Sequence, residues 1–286
     1  MRCTDLIRIP KDFTDTVLSW GDDNATRWLL GLPELYAEYL DRWDLTPAGA
    51  PLNGFCSVVQ PVRRADGTPA MLKLGLPHEE SEHEWLALSM WDGEGAVRLL
   101  DHRGDEGVLL LERLHPETLT GQPIGEALLI AGDLRRRLRR PGPDGMRTLR
   151  ANARRWAEQL PTAEGIPRRI IDEAVDICRA LGPASDTVMV NEDQHFENIL
   201  AGDREPWLVI DPKVLVGDPE FGLATLLWNR FEPDRVQHRL DLLVEIEELD
   251  ADKARAWSFV SAVVNWHQAD GWVNTTCQSI ATTLAT

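Results

Sequence analysis

The stretch Val190–Leu200, VNEDQHFENIL, followed by WLVIDPK at Trp207–Lys213, restricts this chain more than any other. Asn198-Ile199-Leu200 and Trp207-Leu208-Val209-Ile210 are apolar runs of strand length, separated by Gly202 and closed by Pro212. Short runs bounded by turn formers read as the two strands of a hairpin. A hairpin doubles the chain back, so it places Asp193 at its entrance near Asp211 at its exit, with Asn198 between them. One carboxylate can position a hydroxyl. A carboxamide and a second carboxylate can hold Mg²⁺ on nucleotide phosphates. Phosphoryl transfer needs that set of groups.

The rest of the chain is consistent with a soluble enzyme of one large domain or two lobes. It has 286 residues, 43% hydrophobic and 27% charged, enough for a sizeable core. No apolar run is long enough to cross a membrane, and the N-terminus MRCTDLIRIPKDFTD lacks the apolar segment of a secretory signal. Cys3, Cys56, Cys178 and Cys277 are scattered, with no metal-ligand or redox spacing. Reduced thiols in a cytoplasmic protein are the expectation. The net charge of −17 argues against nucleic-acid binding and would steer a cationic small molecule, although such a surface also simply aids solubility. A monomer or weak homodimer is expected.

Taken in order, residues 1–50 read as amphipathic helix. Asp23-Asn24-Ala25-Thr26 is a candidate cap, and Pro33 a break or kink. Residues 56–62 and 69–74 then read as two strands around the turn Arg64-Ala65-Asp66-Gly67-Thr68. Lys73 lies in the second strand among Met71, Leu72, Leu74 and Leu76, so its charge must reach solvent or find an anionic partner. Gly54, just before the first strand, reads as a loop glycine that would also let a phosphate approach the backbone. His78–Trp91 reads as a helix with Glu79, Glu80, Glu82 and Glu84 near its start, where acids suit the helix dipole. Any of the four could instead face Lys73. Residues 96–101 and 107–111 read as further strands, completing a small, mostly antiparallel sheet with one helix.

From Thr118 onward the pattern is helical. Helices are expected at 124–138, 149–160, 167–181, 221–231, 234–248 and 251–272 or beyond. The arginines at 135, 136, 137, 139 and 140 read as a solvated basic face, because Leu134 and Leu138 supply the apolar side at helical spacing. Trp266 and Asp270, one turn apart on the last expected helix, could stack on and pair with a cationic ligand, or simply pack. A Ser-His-Asp order with a Gly-x-Ser-x-Gly elbow is missing, as is a His/Cys metal cluster, which disfavours hydrolase and zinc-enzyme readings.

The order of these motifs, RRADGTPAMLKLG, EWLALSMWDGEGAVRLLD, LLLERL and WLVIDPKVLVGDPEF, resembles the aminoglycoside/hydroxyurea antibiotic-resistance kinases over roughly residues 50–272. That group includes streptomycin 6-phosphotransferases. The resemblance implies an α+β, two-lobed protein-kinase-like fold, with a small antiparallel-sheet N-terminal lobe (1–111) and a larger helical C-terminal lobe (117–286). A hinge at 112–116 would join them. It further implies Mg²⁺-dependent transfer from ATP or GTP to a hydroxyl of a small, cationic, aminoglycoside-like antibiotic.

Residue by residue, the resemblance makes Asp193 the catalytic carboxylate, with Asn198 and Asp211 as metal ligands. Lys73 would hold the nucleotide phosphates with Glu84 as its helix partner. Glu112, Arg113 and Leu114 would offer backbone groups to a purine, and the helical lobe, which carries the candidate acceptor residues Trp266 and Asp270, would shape the acceptor pocket. The family pattern His-Gly-Asp-x-His-x-x-Asn stands here as Asn191-Glu192-Asp193-Gln194-His195-Phe196-Glu197-Asn198, so Asn191 and His195 would brace the loop. Asn191 replaces a His, Glu192 replaces a Gly, and Gly222 stands where an acid often braces the loop. These departures leave a second reading: a kinase-fold nucleotide- or ligand-binding protein with weak transfer, or a kinase for a sugar-like metabolite.

Overall fold

The structure is a computed structural model and describes residues 9–267 and 272–286. The chain forms two compact units, Met1–Leu114 and His115–Thr286. Among the described residues no helix is long and apolar enough to cross a membrane.

The first unit begins with α1 (Lys11–Ser19) and α2 (Asp23–Arg42). The α2 cap lies one residue earlier than expected: Asp22 Oδ1 accepts from the Asn24 amide at 2.8 Å. Pro33 lies inside α2 without ending it. The strands β1 (Thr46–Pro47), β2 (Leu52–Asn53), β3 (Ser57–Arg63), β4 (Pro69–Gly75), β5 (Leu99–Arg103) and β6 (Val108–Glu112) form one antiparallel sheet. Its order is β1-β3-β4-β6-β5, with β2 also on β3. The β3–β4 turn closes at Asp66-Gly67: Gly67 has φ +83, and Asp66 Oδ1 accepts from the Thr68 amide at 2.9 Å.

Side-chain alternation then decides what each face of the sheet does. Val58, Val62, Ala70, Leu72, Leu74, Val108 and Leu110 share one core with Phe13 and Val17 of α1 and Leu29, Leu32, Tyr36 and Tyr39 of α2. Lys73, between Leu72 and Leu74, alternates to the other face, where α3 (Glu84–Trp91) supplies its partner.

The expected helix start at His78 is corrected, because α3 begins at Glu84. The Ser81 and Glu82 amides both bond the His78 carbonyl at 3.0 Å, and the Ser81 hydroxyl takes the Leu76 and His78 carbonyls. Local side-chain bonding of this kind competes with helix formation.

The second unit contains α4 (Ile124–Arg137), β7 (Arg140–Pro141), α5 (Leu149–Gln159), α6 (Arg168–Leu181), β8 (Val188–Asn191), β9 (Ile199–Ala201), β10 (Trp207–Val209), β11 (Val214–Gly217), α7 (Ala224–Trp228), α8 (Val236–Glu247), α9 (Ala251–Val264) and α10 (Thr275–Leu284). The expected hairpin is present: β9 pairs with β10 in the register Ile199↔Val209, Leu200↔Leu208, Ala201↔Trp207. A second small sheet, β11-β8-β7, was not anticipated.

Two expected helices are shorter in the structure. The one read over 221–231 reduces to Ala224–Trp228, because Gly222 has φ +86, which breaks a right-handed helix. The one read over 251–272 ends at Val264, where Asn265 caps it, its side-chain amide donating to the Ser261 carbonyl at 2.8 Å. The Asn274 amide donates to the Trp266 carbonyl at 2.8 Å, and α10 follows.

Candidate active site

In the first unit, strand register seats the lysine. Lys73 pairs with Val59 on one side and Leu109 on the other, deep in the sheet. Its ammonium lies 2.7 and 2.6 Å from the two carboxylate oxygens of Glu84. The two side chains are 8% and 6% exposed, so this is a buried ion pair. The choice among neighbouring glutamates therefore falls to Glu84, the first residue of α3. Trp85, next along, stacks on His102 with ring centroids 4.6 Å apart and lies over Gly104, where a Cβ would sit 2.2 Å from the indole. That contact fixes the start of α3, and with it Glu84.

Glu112 is not open to a ligand through its amide. Its N–H donates to the Arg98 carbonyl at 3.0 Å, while its carboxylate accepts from the Arg98 amide at 2.8 Å. With that donor used inside the sheet, a purine would have to meet the other backbone groups of 112–114. Arg113 and Leu114 lie beyond the end of β6.

In the second unit the constellation is built from two loops joining the two small sheets. One runs from β8 to β9 and carries Glu192 to Asn198. The other runs from β10 to β11 and carries Asp211 to Lys213. The Ile210 amide donates to the Asn198 carbonyl at 2.9 Å, which extends the hairpin ladder by one rung and puts Asp211 one residue past the partner of Asn198. Asp211 has φ +49, a left-handed conformation that costs most side chains about 1–2 kcal/mol and that Asp tolerates better. Strained residues of this sort gather at functional sites.

Asp193 is held from several directions. Its amide donates to Asn191 Oδ1 at 3.1 Å, and the same oxygen accepts from the Lys213 amide at 3.1 Å. Its carboxylate pairs with Lys213 Nζ at 3.0 Å. Its carbonyl accepts from Asn198 Nδ2 at 3.3 Å. Asn191 thus ties both loops together through one acceptor atom. His195 bonds Glu197 through Nδ1 at 2.8 Å. Burial pushes the Glu197 carboxyl up, but hydrogen bonds from its own amide, His195 and Asn229 outweigh that and hold it below the usual carboxylate range. Gln194 reaches inward, its amide on the Ala131 carbonyl at 2.9 Å.

The two other departures have counterparts in the structure. The carboxylate of Glu192 pairs with Arg147. At Gly222 no side chain fits: a Cβ would lie 2.7 Å from the Asn191 carbonyl oxygen. The guanidinium of Arg135 occupies that region and donates to the Asn191 carbonyl at 3.0 Å. Arg135 was expected on a solvated basic face, and this is corrected: it is buried and pairs with Glu247 at 2.9 Å. Glu247, Lys213 and Arg147 carry no expectation from the sequence, and Arg135 only that of the basic face. Only Lys213, adjacent to the IDP motif, offered a local signal.

The expected ligand stack at the end of α9 is also corrected. Trp266 is 2% exposed and lies past the helix end, so its indole is packed inside the unit. Asp270 lies outside the described residues. Among the described residues, no group of three or more His, Cys, Asp or Glu is placed to hold a metal by itself.

Comparison with known proteins gives this geometry a context. Residues 42–271 match the family described as aminoglycoside/hydroxyurea antibiotic resistance kinase. The chain is 39% identical over 280 residues to the hydroxyurea phosphotransferase of Kitasatospora aureofaciens, covering 94% of this chain and 82% of that protein. It is 38% identical over 290 residues to the streptomycin 6-kinase of Streptomyces griseus, covering 95% and 94%. Among solved structures, the choline kinase LicA from Streptococcus pneumoniae superposes with a TM-score of 0.59 at 12% identity, covering 88% of this chain and 98% of that one, a likeness of fold. The protein-kinase-like α+β fold expected from the sequence is therefore the fold observed, and the chain belongs to the aminoglycoside/hydroxyurea antibiotic resistance kinase family of phosphotransferases.

Proposed function

We propose that the chain transfers the γ-phosphoryl group of ATP to a hydroxyl of an aminoglycoside-type antibiotic, streptomycin being the first acceptor to test. The observation that carries the reading is the arrangement around Asp193. The Asp193 carboxylate pairs with Lys213, the Asp193 amide donates to Asn191 Oδ1, and Asn198 and Asp211 stand at the two strand ends of the adjoining hairpin. The relatives divide between streptomycin and hydroxyurea as named substrates. The net charge of −17 favours the cationic one through long-range steering.

In this reading Asp193 orients the acceptor hydroxyl and takes its proton late, as the bond from that oxygen to the γ-phosphorus forms and the bond to the leaving ADP breaks. Lys73, fixed by Glu84, neutralises charge on the nucleotide phosphates. Arg113 and Leu114 offer backbone groups to the purine, and 112–116 serves as the hinge. The carboxamide of Asn198 and the carboxylate of Asp211 are hard oxygen donors and fit Mg²⁺, which commonly takes one or two protein oxygens and completes its shell with phosphate and water. When bound, the ion would offset charge on the transferring phosphoryl group. His195 with Glu197, and Asn191, keep the loop in shape. ATP as donor places the activity in the cytoplasm.

The test incubates the protein with Mg·ATP or Mg·GTP and a panel of streptomycin, other aminoglycosides, sugars and hydroxyurea, reading phosphate on the acceptor. Transfer to streptomycin, lost in Asp193→Ala, supports the reading. Transfer to hydroxyurea alone replaces the acceptor. Nucleotide binding without transfer to any acceptor would favour the weak-relative reading, against which the bonds of Asn191, Glu192 and Arg135 to their neighbours already speak.

A further inference from the structure

We propose that Arg135 is a positioning residue for phosphoryl transfer: from α4, its buried guanidinium fixes the backbone that carries Asp193. The inference rests on the function proposed above and adds a residue that touches neither nucleotide nor acceptor.

A guanidinium has five N–H donors in a rigid planar fork. Arg135 has five acceptors around it. Its Nε meets Glu247 Oε1 at 2.9 Å. Its Nη1 meets the carbonyls of Asn191 at 3.0 Å and Gly222 at 3.4 Å. Its Nη2 meets those of Phe221 at 2.8 Å and Pro219 at 3.4 Å. The side chain is 4% exposed and that of Glu247 is fully buried. Four of the five acceptors are thus main-chain carbonyls of the segments bordering the Asp193 loop. One of them belongs to Asn191, whose side chain already holds Asp193 and Lys213.

The surroundings are shaped to admit this group. Gly132, three residues before Arg135, lets α4 approach α8: a Cβ there would lie 3.0 Å from Ile246 Cγ2. That approach brings Glu247 beside Arg135. Gly222 clears the opposite side, where a Cβ would lie 3.1 Å from Arg135 Nη1. The neighbouring turn of α4 holds the loop a second time, through the Ala131 carbonyl and the Gln194 side chain at 2.9 Å. So α4 grips the loop two residues before Asp193 and one residue after it.

Stability alone is a weak reason for such an arrangement. Burying a charged pair costs several kcal/mol of desolvation, and apolar packing of the same volume is often as stable or more so. What an apolar pair cannot do is fix four carbonyls by directional bonds. Arg139 provides the internal control: it pairs with the same Glu247 at 2.8 Å, yet the acceptors around Arg135 in the loop are not its partners.

The experiment compares Arg135→Lys, Arg135→Met and Arg139→Met, in the full chain, by steady-state kinetics with Mg·ATP, thermal unfolding and amide hydrogen exchange over 191–195. Arg135→Lys keeps the charge opposite Glu247 but not the fork. It should lower kcat about a hundredfold, the cost of a misplacement of about 1 Å, with little change in KM for ATP and with faster exchange at 192–195. Arg139→Met should lower the melting temperature while keeping kcat and loop protection. Wild-type kcat and protection in Arg135→Lys would overturn the proposal, as would an equal loss of kcat in Arg139→Met. If the wild type phosphorylates no acceptor, the function fails separately, and the exchange data still decide whether Arg135 holds the loop. If both Arg135 variants fail to fold, wild-type exchange decides: protection of 192–195 equal to that of α4 supports the proposal, and exchange as an open loop overturns it.

Discussion

Lys213 Nζ lies 3.0 Å from Asp193 Oδ2, and the backbone amides of both residues donate to the same oxygen, Asn191 Oδ1, at 3.1 Å each. The backbones that carry the carboxylate and the ammonium are therefore tied to one atom. The two side chains are 27% and 34% exposed, a geometry in which an ion pair contributes little to stability, about 1 kcal/mol at most. Its value is in placement. Lys213→Met should lower kcat about tenfold or more while leaving the melting temperature within a few degrees of wild type, by the low worth of a partly exposed pair. Parallel kinetics and thermal unfolding check this; a large drop in melting temperature with unchanged kcat would mean that the pair is structural only.

The Lys73–Glu84 pair should behave in the opposite way, because it is buried. Removing one partner leaves an uncompensated charge out of water, at about 3–5 kcal/mol. Glu84→Gln should therefore unfold at markedly lower temperature. The double variant Lys73→Met with Glu84→Met should recover much of that loss by removing both charges, yet bind ATP no better. Denaturant titrations and an ATP-binding isotherm measure the two effects separately.

Gly222→Ala tests the close approach under the Asp193 loop. The residue sits at φ +86, and the new Cβ would lie 2.7 Å from the Asn191 carbonyl oxygen. The left-handed backbone costs about 1–2 kcal/mol for a side chain, before any shift of the Asn191 peptide. The expected result is a lower melting temperature together with reduced kcat, since Asn191 holds Asp193. A variant as stable and as active as wild type would refute the contact.

Two thiols give a test of the fold itself. Burial pushes Cys178 and Cys277 up to about 12, so neither forms thiolate at neutral pH in the native state. Alkylation followed by peptide mapping should leave both unlabelled in the folded protein and label both in urea. Labelling of Cys277 under native conditions would place α10 elsewhere than against the core.

Much of the architecture could be read locally. The β3–β4 hairpin follows from an Asp-Gly turn between apolar runs, and α4, α5 and α6 from their apolar spacing. The β9–β10 ladder follows from two short apolar runs around Gly202. The strands β8 and β11 leave no such local mark, because each one's pairing partner lies beyond an intervening hairpin. The end of α9 is not legible locally, because the apolar pattern continues past Asn265, and a side-chain cap there is only one of many uses of an asparagine.

The sequence by itself determined the chemistry on offer: an Asp, an Asn and a second Asp around one hairpin, and a lysine set inside an apolar strand. These are encoded locally, by residue type and spacing, so they survive without knowledge of the fold. The tertiary structure alone decided which partners hold them. Glu84 rather than its neighbours meets Lys73, because α3 starts there. Arg135 turns inward among arginines that look alike in sequence, because α8 brings Glu247 to it, and Asn191 and the segment after β11 bring their carbonyls. A charged side chain is drawn out of water only by acceptors fixed in place around it, and those come from residues far away along the chain.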